Sequence, residues 1–289
     1  MGVFTLARKN EIFAGNQKAP SQSPIEGVTR QDPMKEFGWE VPYELAPLPS
    51  KGVVYSKNST LSDREAISIK AMTAREEDIL LSKAYAKLGT TVSELLRSCI
   101  ADKDIDPGQL LAGDRQSILV ALRITGYGAK YDAEVSCPSC FNRANHEFDL
   151  AELALKTLEI HPVLPGQNEF AFQLPVSKKN VHFKFLTGKD EEELNVFVER
   201  RRKLLGDAAE NPVTTRLTFQ IVSIDGITDK NKISTFVNNM PAADSRALRL
   251  YIDKNEPGID TNVRFECTKC GADSEVQMPI GASFFWPKS

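Results

Sequence analysis

Two pairs of closely spaced cysteines constrain the fold of this chain more than any other feature of its sequence. The pairs are Cys137-Pro-Ser-Cys140 and Cys267-Thr-Lys-Cys270, and residues 141–266 lie between them. The residues that flank each pair alternate between apolar and polar side chains, which is typical of half-buried β-strands. The sequence therefore predicts two β-hairpins with a cysteine pair at the tip of each. Gly271, directly after the second pair, suits the tight turn that such a tip requires.

Two such tips that face each other would supply four thiolates in a tetrahedral array, which is the ligand set of a structural zinc site. We expect this site to join the two ends of the intervening segment and to contribute on the order of 10 kcal/mol of apparent folding free energy. Since all four ligands would be cysteines, no coordination position remains for a catalytic water. Iron also suits four thiolates. The alternatives to a shared site are two unrelated cysteine pairs, or disulfides.

The remaining cysteine and the histidines add no second site. Cys99 lies in an amphipathic helical pattern, where cysteine usually acts as a small buried apolar residue. His146 follows the first pair closely, but four cysteines already complete the ligand set, so we expect it beside the site or at the surface. The sequence contains no phosphate-binding loop, dinucleotide fingerprint, zinc-protease motif or serine-hydrolase motif. An enzyme is therefore not expected.

Composition and charge are those of an ordinary globular protein. The 289 residues include 36 Lys and Arg against 39 Asp and Glu, a net charge of −3. This balance argues against nucleic acid as the main partner, because such binding depends on concentrated positive charge. The sequence has no secretory signal, and no apolar run approaches the roughly 20 residues of a membrane helix. We therefore expect a protein made in a reducing cytosol, with no membrane partner.

The sequence predicts an α+β fold with a mostly helical body, short antiparallel hairpins and a discontinuous four-cysteine zinc ribbon. Residues 1–45 are predicted to be an extended arm, since they contain four prolines and lack a sustained apolar period. The other predicted segments are a hairpin and helices that end in the first cysteine pair (46–150), a mostly helical insertion (151–261), and the second pair with an aromatic C-terminus (262–289). The arm either orders on a partner or is a mobile tail.

Local signals predict several elements within these segments. The segment 46–55 is predicted to be a turn-rich entry into a strand, which pairs with a strand over 66–72 through a polar connection at about residues 57–64. Thr73 and Glu76 form a capping box for a helix that ends before Gly89. Two strands are predicted over 170–174 and 181–186, and further helices over 92–100, 115–124, 189–206, 213–223, 230–239 and 242–254.

Three charged residues on these helices are assigned structural roles. Asp114 is predicted as a helix N-cap, Asp244 is available for another cap, and Arg123 is predicted as a member of an ion pair. Neither Asp114 nor Arg123 is expected to take part in chemistry.

Aromatic residues towards both ends of the chain are candidates for partner binding. They are Trp39, Phe284, Phe285 and Trp286. The three consecutive aromatics at 284–286 cannot all face one side of a strand, so they either fill a core or leave an exposed docking patch.

The order of motifs resembles a known family. The motifs are Pro47–Tyr55, the capping-box helix from Thr73, Gly113–Gly128, Val135–Cys140, Phe148-Asp-Leu, Phe265–Gly271 and the closing Phe284–Pro287. This set is similar to the T4-type bacteriophage baseplate hub subunit family, whose members belong to the tail baseplates of contractile-tail phages. The resemblance covers roughly residues 46–289.

The resemblance implies a structural or assembly role at the tail hub and no catalytic residues. The implied partners are other tail and baseplate hub proteins, among them tape measure or tail tube proteins. The implied location is the virion tail baseplate, with the host cytoplasm during assembly.

Two other functions fit part of the sequence. One is a transient hub assembly factor, or chaperone, that is absent from the mature virion. The other is a nucleic-acid-binding zinc-ribbon protein, which would need basic residues clustered near the cysteine pairs. The basic residues there are Arg143, Arg264 and Lys269.

Overall fold

The computed structural model describes residue 38 and residues 41–205, 211–280 and 282–285. These ranges contain eight α-helices and several short antiparallel sheets, so the predicted α+β class is confirmed. Contacts divide the chain into two units, Met1–Glu40 and Val41–Ser289, and the second unit contains all of these elements. No helix in the described ranges combines the length and apolar character needed to cross a membrane.

A two-stranded antiparallel sheet begins the second unit. β1 (Tyr43–Pro47) pairs with β2 (Ala66–Lys70), and Tyr43 lies opposite Lys70. The first strand therefore precedes the turn-rich segment instead of following it, and its first residues fall within the predicted 1–45 arm. Tight turns occupy the connection. At Gly52 a Cβ atom would lie 2.4 Å from the Leu61 carbonyl oxygen, so only glycine fits there.

Four helices follow: α1 (Ala74–Leu81), α2 (Lys83–Leu88), α3 (Thr91–Cys99) and α4 (Ala112–Tyr127). The capping box of Thr73 and Glu76 is present at the start of α1. The helix predicted up to Gly89 is interrupted at Ser82, whose side chain accepts the Tyr85 amide and caps α2. Gly89 ends α2 in the left-handed conformation, as its position predicts.

The two cysteine-bearing hairpins have the predicted antiparallel pairing. β3 (Lys130–Ser136) pairs with β4 (Arg143–Asp149). A short strand, β5 (Leu155–Lys156), follows directly after this first hairpin.

The segment between the hairpins contains a sheet as well as helices. β6 (Phe170–Gln173) and β7 (Asn180–Phe183) are strands, as predicted. They pair with each other, and β8 (Ile221–Ile224) completes an antiparallel sheet in the order β6-β7-β8. β8 corrects the prediction of a helix over 213–223, because its Ile-Val-Ser-Ile sequence pairs with β7. The helices are α5 (Gly188–Leu205), α6 (Pro212–Gln220), α7 (Lys230–Asn239) and α8 (Ala242–Asn255).

A two-residue strand pair brings the bases of the two hairpins together. β9 (Gly258–Ile259) pairs with β5, with Leu155 opposite Ile259. The second hairpin, β10 (Asn262–Glu266) with β11 (Asp273–Gln277), follows directly. Because β5 follows the first hairpin and β9 precedes the second, the pairing joins the two ends of the intervening segment.

Two charged residues of α4 have roles that differ from those predicted. Asp114 is not the N-cap, since α4 begins at Ala112. Its fully buried carboxylate accepts hydrogen bonds from Ser50 and Tyr55. Arg123 makes no ion pair in the described ranges; its buried guanidinium donates to three backbone carbonyl oxygens. Both therefore connect distant segments across the core.

Asp244 also differs from its predicted role. It lies inside the first turn of α8 and is buried, where its carboxylate accepts the amides of Val176 and Ser177 at 2.7 and 2.9 Å. It therefore joins α8 to the turn between β6 and β7.

Candidate metal centre

Each cysteine pair lies at a hairpin tip, and the two tips have the same backbone hydrogen bonds. The amide of Phe141 donates to the Cys137 carbonyl at 2.9 Å, and the amide of Gly271 donates to the Cys267 carbonyl at 2.8 Å. The residue that follows the second cysteine is left-handed in both tips, with φ of 58° at Phe141 and 67° at Gly271. The two turns are therefore structurally equivalent.

The four sulfur atoms converge between the two tips. Cys137 Sγ lies 3.8 Å from Cys270 Sγ, and Cys140 Sγ lies 3.7 Å from Cys267 Sγ. All four atoms lie within 4.8 Å of one another. A tetrahedron with zinc–sulfur bonds of about 2.3 Å has sulfur–sulfur edges of about 3.8 Å. The ligand atoms present thus fit a tetrahedral metal ion, and the predicted meeting of the two pairs is confirmed.

The distances also exclude disulfides among these four cysteines. A disulfide bond is about 2.0 Å long, and all the cysteines of the chain are free thiols. The distant hairpins therefore meet without a covalent bond between them.

Backbone amides favour the thiolate form of the first cysteine in each pair. The amide of Cys140 lowers the pKa of Cys137 to about 6, and the amide of Cys270 lowers the pKa of Cys267. The amide of Ala272 also lowers the pKa of Cys270, but the neighbouring thiols and desolvation outweigh it and raise that pKa to about 12. Four thiolates this close repel one another, and a bound cation would offset that repulsion.

The site is buried on one side and open on the other. Cys137 and Cys267 are buried, whereas Cys140 is half-buried and Cys270 is exposed. His146 lies outside the four-sulfur group. Its ring packs edge-to-face against Phe265, with ring centroids 5.4 Å apart, and so fills space between the two hairpins.

Ion pairs balance the charges on the hairpin strands. The Arg264 Nε donates to an Asp273 carboxylate oxygen at 2.9 Å, and Arg143 lies 3.7 Å from Glu134. Two of the three basic residues that the sequence places near the cysteines are therefore paired with acids. This arrangement does not provide the concentrated positive surface that nucleic acid binding requires.

The C-terminal aromatics in the described ranges are buried. Phe284 and Phe285 are 1% and 9% exposed, and Phe284 packs edge-to-face against Tyr131 of β3 at 5.2 Å. Of the two predicted alternatives, filling a core describes these two rings, whereas a docking role needs exposed rings. Arg123 donates to the Phe284 carbonyl and keeps this turn against the core. The other two candidates, Trp39 and Trp286, lie outside the described residues.

One exposed aromatic near the site was missed from the sequence. Phe141 follows the first cysteine pair and is 81% exposed. A comparison of the two Cys-x-x-Cys sequences could have identified this residue, because Phe141 follows the first pair where Gly271 follows the second.

The two hairpins bring four cysteines together, and the segment with α5 to α8 lies between them in the chain. This arrangement defines a protein built on a discontinuous four-cysteine ribbon. The family model described as T4 bacteriophage base plate protein matches residues 53–286 of the chain. The chain therefore belongs to the T4 bacteriophage base plate protein family. No curated protein and no solved structure matches it. Membership of this family implies a structural role in the phage tail baseplate, in contact with other tail proteins.

Proposed function

We propose that this protein is a structural subunit of the baseplate hub of a contractile phage tail, and that a bound zinc ion stabilises it. The observation that carries the proposal is the convergence of four cysteine sulfurs within 4.8 Å, in a chain whose residues 53–286 match the baseplate family. The ligands would be Cys137, Cys140, Cys267 and Cys270.

The chemistry of the ligand set supports a structural role for the metal. A catalytic zinc keeps one coordination position for water or substrate, whereas four cysteine ligands leave none. Zinc bound here would join the two hairpin tips, while the pairing of β5 with β9 joins their bases. Metal and sheet would together fix the ends of the segment that contains α5 to α8. A subunit with this construction presents a rigid surface to its neighbours.

The predicted arm has a separate part in the proposal, although its residues 43–45 belong to β1 and residues 1–37, 39 and 40 lie outside the described residues. The four prolines and the lack of apolar periodicity in residues 1–45 suit a segment that binds neighbouring tail proteins in an extended form. Such a segment loses conformational entropy on binding but covers a large area of its partner. We expect the partners to be other hub proteins, including tape measure or tail tube proteins.

Mass spectrometry of purified phage particles tests the structural role. A hub subunit is expected in mature virions and in isolated baseplates, at a fixed ratio to other baseplate proteins. Presence in assembly intermediates but absence from mature particles would instead support the transient assembly factor. Cross-links to proteins on the tail axis would support the hub position, and cross-links restricted to the baseplate periphery would contradict it.

A further inference from the structure

The two cysteine-bearing tips offer an internal comparison. Both have the same backbone hydrogen bonds and a left-handed residue after the second cysteine. The second tip has Gly271 at this position, which glycine adopts without steric cost. The first tip has Phe141, although an L-residue with a Cβ atom is disfavoured in this region. The turn itself therefore does not account for a phenylalanine.

Packing does not account for this phenylalanine either. Phe141 is 81% exposed, and its ring contacts no other aromatic ring within the described ranges. At the equivalent Gly271, a Cβ atom would have nothing within 4 Å, so this turn position faces open space. The ring contributes neither to the core nor to the sulfur cluster, and the backbone conformation opposes it. Exposure of a single apolar residue is ordinary, but a non-glycine residue kept in the left-handed region is grounds for a functional hypothesis, and for an exposed phenylalanine that function is binding.

We propose that Phe141 anchors the first cysteine-bearing tip in an apolar pocket of a neighbouring baseplate protein. The inference rests on the proposed function for the class of partner. Aromatic anchors of this kind dominate the binding energy of protein interfaces when a polar rim excludes water around them. The exposed neighbours Pro138 and Ser139 are uncharged and suit such a rim.

The negative charge of the cysteine site indicates which groups should line the rim of the partner's pocket. Four thiolates around the proposed divalent ion would carry a net charge of −2, and Cys140 and Cys270 would bring that charge towards solvent, since they are half-buried and exposed. Arg143, beside the tip, is paired with Glu134 and does not neutralise the metal centre. A complementary pocket is therefore apolar at its base, with amide or basic donors at its rim. Nucleic acid, which is anionic, does not fit this surface.

The tip is also preorganised for docking. The backbone hydrogen bonds of the turn and the two buried cysteines fix the position from which the Phe141 ring projects. A phenyl ring with only two rotatable side-chain bonds loses little entropy when it becomes ordered. The construction thus favours binding without a conformational change in this subunit.

Two variants of the full-length protein test the proposal. Phe141→Gly gives the first tip the residue found in the second. The double variant Phe141→Gly with Gly271→Phe keeps the composition and moves the ring to the other tip, where space is open and the backbone strain added at position 271 offsets the strain relieved at position 141. Both are expected to retain wild-type metal content and an unfolding temperature within about 5 °C of wild type. Leu250→Ala, at a 55% exposed residue of α8, is the matched control.

Incorporation is measured by adding purified protein to an extract of phage-infected cells that lack this chain, and then isolating baseplates. In competition with wild type, both variants at Phe141 are expected to be incorporated at least about tenfold less, and Leu250→Ala equally. Equal incorporation of wild type and Phe141→Gly overturns the inference and leaves the hub role standing. Failure of the wild type to enter baseplates overturns the proposed function itself.

A photo-crosslinking residue at position 141 provides an independent readout that does not depend on the glycine variant folding. An adduct within baseplates to an apolar segment of another tail protein supports the proposal. An adduct to a second copy of this chain, or no adduct from incorporated protein, overturns it.

Discussion

Cys137 Sγ lies 3.8 Å from Cys270 Sγ, although 133 positions of sequence separate the two residues. This proximity depends on two hairpins whose bases are joined by the pairing of Leu155 with Ile259. The sheet contact alone consists of two residue pairs, which is a small stabilising interaction. The hairpins also contact each other through the rings of His146 and Phe265, which pack edge-to-face between them. A metal ion bound by the four sulfurs would hold the tips in addition, so its removal should loosen the tips first.

Substitution of the exposed ligand tests coordination with little effect on packing. Cys270→Ser removes a thiolate from an exposed position, so it leaves no cavity in the core. We expect bound zinc, measured by elemental analysis, to fall from about one ion per chain to well below half. Cys99→Ala is the control, because Cys99 is buried in α3 and outside the cluster. Equal metal content in Cys270→Ser and the wild type would contradict a shared site.

A buried carboxylate anchors the turn-rich segment to α4. Asp114 accepts hydrogen bonds from the Ser50 hydroxyl at 2.6 Å and the Tyr55 hydroxyl at 2.5 Å. The Tyr55 hydroxyl also accepts the Leu111 amide at 2.9 Å. Burial raises the pKa of Tyr55 well above its usual range, so this hydroxyl remains protonated and donates.

Removal of that hydroxyl should destabilise the protein without affecting the metal. Tyr55→Phe leaves the Leu111 amide without its acceptor and Asp114 with one donor fewer, which we expect to lower the free energy of unfolding by about 2 kcal/mol. Urea denaturation measures the loss, and elemental analysis should show unchanged zinc. Tyr43→Phe, at a 62% exposed tyrosine, is the control. A loss below about 0.5 kcal/mol, typical of a surface substitution, would show that the network contributes little.

Elements with a complete local signal were predictable from the sequence. The Thr73 and Glu76 capping box specifies its own helix start, and the alternating residues around Cys137 specify a hairpin. The meeting of the four cysteines was predictable because the spacing of the two pairs is itself the signal. In these cases the residues that stabilise the element are neighbours in the sequence.

Elements that depend on distant partners were not predictable. The Ile221–Ile224 segment continues an apolar helical pattern and becomes β8 only because β7 is available to pair with it. Asp114 has the sequence context of an N-cap, but its donors are 59 and 64 positions away. The role of Arg123 likewise depends on a carbonyl 161 positions further along the chain. A single sequence contains no local signal for such contacts.

Arg123 connects α4 to the C-terminal turn, and its replacement should release that turn. Its guanidinium donates to the carbonyl oxygens of Gly128, Lys130 and Phe284 at 2.7, 2.9 and 2.8 Å. Lysine keeps the positive charge but cannot reproduce the planar arrangement of donors. We expect Arg123→Lys to lower the free energy of unfolding by about 2 kcal/mol, because buried carbonyls lose their donors.

Limited proteolysis followed by mass spectrometry should detect faster cleavage of Arg123→Lys after residue 279 than of the wild type. Arg97→Lys is the control, since the Arg97 side chain is 53% exposed and pairs with Glu94 at the surface. Identical cleavage patterns in all three proteins would contradict an anchoring role for Arg123.

Glu76 should make the stability of the protein depend on acidic pH. Burial raises the pKa of its carboxyl group, but hydrogen bonds from Ser98, Thr73 and Lys70 outweigh this effect and lower it to about 2. A carboxylate whose folded-state pKa lies below its unfolded value of about 4.3 stabilises the fold above that value. This contribution, about 3 kcal/mol, is lost as the pH falls from about 4.5 towards 2.

Glu76→Gln removes the titrating group and tests this dependence. The difference in unfolding free energy between wild type and Glu76→Gln should therefore shrink by about 3 kcal/mol as the pH falls from 6 to 2, because only the wild type loses the ionised carboxylate. Acid also protonates the cysteine ligands and releases metal, but this affects both proteins and cancels in the difference. Asp78→Asn, at an exposed residue of the same helix, should follow the wild-type profile. Parallel pH profiles for wild type and Glu76→Gln would show that the Glu76 carboxylate does not stabilise the start of α1.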